Sequence, residues 1–111
     1  MKQAGFYVVS GTEFWIAFEN GYVVIVGIGK HHHCDNYGKD LIEITNRTVV
    51  SCPNAEVAVC KVIEKGDRTT ATIPIAAPQF NGDDIGENFA PKDFLDLLNW
   101  AAAQELTTVE K

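Results

Sequence analysis

The dipeptide Asn20-Gly21 stands between two short runs of aromatic and β-branched residues, and it limits what this chain can fold into more than any other feature. Asn-Gly readily takes the positive φ angles of a two-residue type I′ turn, whose twist matches that of the strands it joins. The expectation is an antiparallel hairpin. A two-residue turn pairs Glu19 with Tyr22, Phe18 with Val23, Ile16 with Ile25 and Trp15 with Val26. One face then carries Phe14, Ile16, Phe18, Val23, Ile25 and Gly27, has no polar side chain, and should look into a core. The other carries Glu13, Trp15, Ala17, Glu19, Tyr22, Val24, Val26 and Ile28, polar near its ends and apolar in the middle. An antiparallel hairpin with one wetted face should alternate cleanly, so the second face is expected to need a cover, from the chain's own helix or from another chain. That makes Trp15, Tyr22, Val24 and Val26 the expected partner-binding residues.

Period-2 patterning continues beyond the hairpin. Strands are expected at 5–10, 41–45, 48–52, 56–64 and 69–76, separated by turn chemistry at Asn46-Arg47, Pro53-Asn54 and Lys65-Gly66-Asp67. Pro74 has no N–H for a ladder, so its strand should lie at an edge or end there. The period changes in "APKDFLDLLNWAAAQEL". Pro91 suits a first helical turn, Asp93 and Asp96 favour the positive end of the helix dipole, and Phe94, Leu97, Leu98 and Ala101 recur at i, i+3, i+4 and i+7. One amphipathic helix is expected over 91–104, with 107–111 fraying. The fold class read from these signals is α+β: a twisted antiparallel sheet of about five to seven short strands, barrel closure left open, with one C-terminal helix packed on it. A chain of 111 residues is the usual size of one domain, so 1–111 is read as a single domain.

Fifteen acidic against nine basic residues give a charge of −6, and no Lys/Arg cluster offers the phosphate contacts that dominate nucleic-acid affinity, so direct nucleic-acid binding is disfavoured. The longest apolar run, 22–28, is far too short to span a bilayer, and Ser10, Gly11, Thr12 and Glu13 interrupt what would be a signal peptide's apolar region. The expectation is a cytoplasmic protein with no membrane partner. Cys34, Cys52 and Cys60 are an odd count without CxxC spacing, which reads as reduced thiols rather than a disulfide framework.

"GKHHHCDNYGKD", residues 29–40, is the stretch most able to carry chemistry. Imidazole and thiolate suit zinc, and in an extended segment alternate side chains share a face, so His31 and His33 could converge on one ion, with Cys34 as a further ligand. Two or three adjacent groups do not complete a zinc shell, so no cofactor is required and zinc is the metal that would fit. "NGDDIGEN", residues 81–88, lacks the ligand spacing of a calcium loop and is read as a solvated acidic loop. "VGIGK" lacks the spacing of a phosphate-binding loop; Gly27 and Gly29 instead suggest a bulge or a close backbone approach.

With no constellation at catalytic spacing, the functional expectation is a small non-enzymatic interaction or ligand-binding module that takes a protein partner or its own copy as a homodimer. Two alternatives stand beside it. One is a zinc-binding protein or metal-dependent enzyme centred on His31 and His33; the other is an acidic inhibitor that fills the basic groove of a nucleic-acid-binding enzyme.

Overall fold

The computed structural model describes residues 4–46, 49–64 and 70–105. In chain order they form β1 (Gly5–Ser10), β2 (Glu13–Ala17), β3 (Tyr22–Gly27), α1 (Leu41–Ile44), β4 (Thr45–Asn46), β5 (Val49–Val50), β6 (Ala55–Glu64), β7 (Thr70–Pro74), a 3₁₀ turn (Pro78–Phe80), β8 (Ile85–Phe89) and α2 (Pro91–Ala102). The turn expected at 65–67, the strand starts expected at residues 48 and 69, and the fraying tail 107–111 lie outside the described residues.

Six strands make one open antiparallel sheet, ordered β1-β2-β3-β6-β7, and α2 packs on it, so the α+β class stands and the sheet does not close into a barrel. β6 is the long central strand. Its outer side is shared by two short ones: β7 pairs with Cys60–Glu64 and β8 with Ala55–Ala58. β4 and β5 form a separate two-stranded pair. Pro74 ends β7 at the sheet edge, where its missing N–H costs no ladder bond.

The hairpin forms, but its register differs from the expected one by a residue. Ala17 pairs with Val23, Ile16 with Val24, Trp15 with Ile25 and Phe14 with Val26. The turn has three residues rather than two. Phe18 N–H donates to Tyr22 O, Gly21 N–H donates to Phe18 O, and Gly21 sits at φ +87°, a type I turn closed by a left-handed glycine. Asn20 is held out of the two-residue alternative by the helix: its amide donates to Ala101 O at 2.8 Å and Gln104 O at 3.0 Å, while its carbonyl accepts from Tyr22 N–H. The side chain thus closes orphan carbonyls at the end of α2.

A one-residue slip turns every side chain of one strand to the other face. Tyr22, Val24 and Val26 therefore lie with Phe14, Ile16 and Phe18, not with Trp15. They are buried under α2 with Val57, Val59, Ala77, Phe80, Leu97 and Ala101. The expected partner-binding role of Tyr22, Val24 and Val26 gives way to a core role. Leu97 and Ala101 are fully buried and Phe94 and Leu98 pack beside them, as the helical stripe predicts. On the opposite face Ala17, Val23 and Cys60 form a second small cluster, flanked by Tyr7, Trp15, Ile25 and Val62.

Two local expectations change. Residues 41–44 are a helical turn, not a strand: the Glu43 carboxylate accepts from Asp40 N–H at 3.0 Å, the reciprocal half of a capping box, and the chain straightens again only at Thr45. The stretch 81–88 is not wholly a loop either. Ile85–Phe89 forms β8 on β6, with Gly86 beneath the Phe80 and Phe89 rings, so close that a Cβ would collide with both.

Candidate functional site

The histidine-rich stretch follows β3 as a chain of turns, and the alternate-face argument that joined His31 to His33 needs a strand. Three buried or half-buried anchors shape it. The His32 ring lies directly over Gly27, where a Cβ would overlap it. Its Nδ1 accepts from Gly29 N–H at 2.8 Å and its Nε2 meets Glu13 Oε1 at 3.1 Å. Because Nδ1 is an acceptor, the ring proton belongs on Nε2, which donates to the carboxylate. The other carboxylate oxygen, Glu13 Oε2, accepts from Trp15 Nε1 at 2.8 Å. Trp15, Glu13, His32 and the Gly29 amide form one continuous chain of hydrogen bonds from β2 to the loop.

Asn36 is the second anchor, buried, with its amide donating to Ile28 O at 2.7 Å and Ser51 O at 3.0 Å. Cys34 is the third, buried with Sγ 3.8 Å from Gly29 O; burial pushes its thiol pKa up. The neighbouring Asp35 N–H donates to Asn54 Oδ1 at 2.8 Å, which ties the loop to the segment entering β6.

The three residues singled out as metal ligands go to different surroundings. His31 is exposed and lines a cleft. His33 is exposed, stacks on Tyr37 with ring centroids 5.4 Å apart, and has Glu56 at 3.8 Å and Glu87 at 3.7 Å. Cys34 points inward. Among the described residues no three His, Cys, Asp or Glu side chains are grouped to hold a metal ion. His32, which alternation left pointing away from the ion, is the histidine built into the fold; its signal in the sequence was Gly27, whose missing side chain makes room for a ring.

Two surfaces among the described residues stand out for binding. The first is a cleft of about 210 Å³ between the β1–β2 turn, the loop and α1, lined by Thr12, Lys30, His31, His32, Lys39, Leu41 and Ile44. It combines two ammonium groups, a hydroxyl and an apolar wall in a protein of net charge −6. Lys30 reaches Asp40 only at 3.9 Å across open solvent, a pair worth little. The second surface is the β1 end of the sheet. β1 has a neighbouring strand on one side only among the described residues, and α2 sits over β3. Phe6 and Val8 are 83% and 84% exposed, and Phe14, paired with Val8, is 39% exposed on the same face. Trp15 is half-buried on the other face, so the aromatic residues that reach solvent are not those expected from the two-residue turn.

Fold and site together define a small α+β sheet protein with a loop-built cleft and a bare sheet edge. No protein-family model matches the chain, and no curated protein or solved structure matches it. Among the described residues no helix is long and apolar enough to cross a membrane.

Proposed function

We propose that this protein is a non-enzymatic binding module that pairs with a second copy of itself along the outer edge of β1. The observation that carries this reading is the exposed pair Phe6 and Val8 on a strand whose outer edge has no neighbouring strand among the described residues. Such an edge is a template for another strand, and proteins that avoid pairing blunt it with charge, proline or an inward-pointing lysine. The strand Gly5–Ser10, GFYVVS, has no charge, proline or lysine, and the irregularity in its ladder with β2 falls at its end, between Val8 and Ser10. An antiparallel two-fold pairing centred on Tyr7 places Phe6 against Val8 of the second copy and joins the two apolar patches into one. The chain's net charge of −6 works against self-association, and β1, which carries no charged side chain, adds nothing to that repulsion. Sedimentation velocity tests the reading: the wild type should be a dimer at tens of micromolar, and Val8→Lys, on an exposed position, should release folded monomers. A wild type that stays monomeric overturns it.

A second reading, a small organic anion held in the cleft, is favoured by the meeting of Lys30, Lys39 and the Thr12 hydroxyl beside Leu41 and Ile44. The volume suits a ligand of about ten heavy atoms, below the usual drug-sized range. Titration with hexanoate, followed by amide shifts of Lys30, His31 and Lys39, tests it, and Lys30→Gln with Lys39→Gln should remove the response.

A further inference from the structure

The metal-ligand expectation for Cys34 does not use the position the thiol actually takes. Cys34 lies just before Asp35, whose N–H is bound to Asn54 Oδ1 at 2.8 Å, and Cys52 Sγ donates to that same oxygen at 3.7 Å. Asn88 reaches it as well, with Nδ2 at 3.4 Å, while Asn36 ties the loop to Ser51 O, the residue before Cys52. Asn54 and Asn36 thus hold the two cysteine-bearing segments side by side, and burial first, then the nearby Cys52, pushes the Cys34 thiol pKa up. Cys60 is not part of this arrangement, being on β6 in the cluster with Ala17 and Val23, four residues and about 13 Å along the strand from Glu56.

We propose that Cys34 and Cys52 are a thiol pair that closes to an intramolecular disulfide when the protein meets a small-molecule disulfide such as glutathione disulfide. Cys52, the more exposed of the two, is the entry point. Its thiol gives up a proton to solvent, and the thiolate attacks one sulfur of glutathione disulfide; a mixed disulfide forms on Cys52 and one glutathione thiolate leaves. Cys34 then loses its proton, its sulfur attacks Cys52 Sγ, and the second glutathione leaves. Two protein thiols are oxidised to one disulfide, and one glutathione disulfide is reduced to two glutathiones. Cys34 is buried, so the resolving step is the slow one and quickens as pH rises. The bond fastens the loop that carries Lys30, His31 and Lys39 to the entrance of β6, and a dithiol reductant reverses it.

The test uses the full chain incubated with glutathione disulfide, then denatured under acid, titrated for free thiols and mapped by peptide mass. The expected result is a fall from three free thiols to one. The linked peptide should join Cys34 to Cys52 and revert with dithiothreitol, and Cys60→Ser should react in the same way as wild type. Cys34→Ser should stop at a stable glutathione adduct on Cys52. A wild type that ends as that adduct, that links two chains through Cys52, or that keeps all three thiols free overturns the proposal, and none of these outcomes depends on whether β1 dimerises.

Discussion

His32 shows how little a residue's type says about its work. Three consecutive histidines look equivalent, yet the half-buried His32 has both ring nitrogens at hydrogen-bond distance, one from a backbone donor and one from the carboxylate of Glu13, whereas the exposed His33 meets Glu56 and Glu87 only at 3.8 and 3.7 Å. Removing it leaves the Gly29 amide and a half-buried Glu13 with fewer partners, so His32→Ala should destabilise the fold by about 1–3 kcal/mol, whereas His31→Ala, on an exposed side chain, should stay within about 0.5 kcal/mol. Urea unfolding of the two variants separates them; equal midpoints would show that the hydrogen-bond chain contributes nothing. Gly27→Ala should resemble His32→Ala, because the added methyl expels the ring. The buried thiols add a pH dependence. Burial raises the pKa of Cys34 and of Cys60 above the ordinary thiol value. Below about pH 8.5 both states keep their protons and stability is unaffected; above it the unfolded chain ionises first, so stability falls as pH rises. The melting temperature should therefore drop between about pH 8 and about pH 10, and Cys60→Ala should reduce the size of that drop.

At the scale of elements, the helix and the hairpin turn depend on each other. α2 buries Leu97 completely against β3, and truncating it removes transfer energy and leaves a cavity, so Leu97→Ala should cost about 2–5 kcal/mol. Asn20 joins the same two elements by hydrogen bonds to Ala101 O and Gln104 O. Asn20→Ala should cost about 1–2 kcal/mol and speed amide exchange in the last turn of α2 first, since the helix end loses its donor. Exchange that quickens evenly along α2 would mean that the turn does not close the helix. The same contact explains the turn itself: a two-residue type I′ turn would have served the hairpin locally, but the three-residue turn places the Asn20 amide at the helix end and puts Tyr22, Val24 and Val26 under it.

For the whole molecule, the sheet is wider than the helix that covers it. α2 lies on β3, Phe80 of the 3₁₀ turn packs with Val57 and Val59 of β6 in the same core, and the β1–β2 end is left with Phe6, Val8 and Phe14 in solvent. Burying Phe6 and Val8 in a second copy removes apolar surface worth about 25 cal/mol per Å², which a six-residue strand ladder supplements with backbone hydrogen bonds. A dimer held by that uncharged strand should be insensitive to salt or strengthened by it, because screening weakens the repulsion between two chains of charge −6. Sedimentation at low and high ionic strength checks the sign: dissociation on adding salt would point to a charged interface instead.

The sequence by itself determined the elements whose signals are local and periodic. Asn20-Gly21 announced a hairpin, the 3.6-residue stripe from Phe94 to Ala101 announced the helix and the face it buries, and Pro74 marked the end of an edge strand. What it left open, or what was misread, depends on contacts between residues far apart in the chain. The hairpin register turns on a bond from Asn20 to a helix some eighty residues later, and a slip of one residue exchanges the faces of β3. β8 was hidden in an acidic, glycine-rich stretch because only its pairing with β6 makes Ile85–Phe89 a strand. The candidate site followed the same rule. Composition drew attention to residues 29–40, but which histidine is held, which thiol finds a neighbour and where the lysines gather were decided by packing: the Gly27 hollow, the Asn36 and Asn54 bonds, and the approach of α1 to the β1–β2 turn. Short-range propensities act through neighbouring dihedrals and can be read along the chain, whereas hydrogen-bond satisfaction and burial are settled only when distant segments meet.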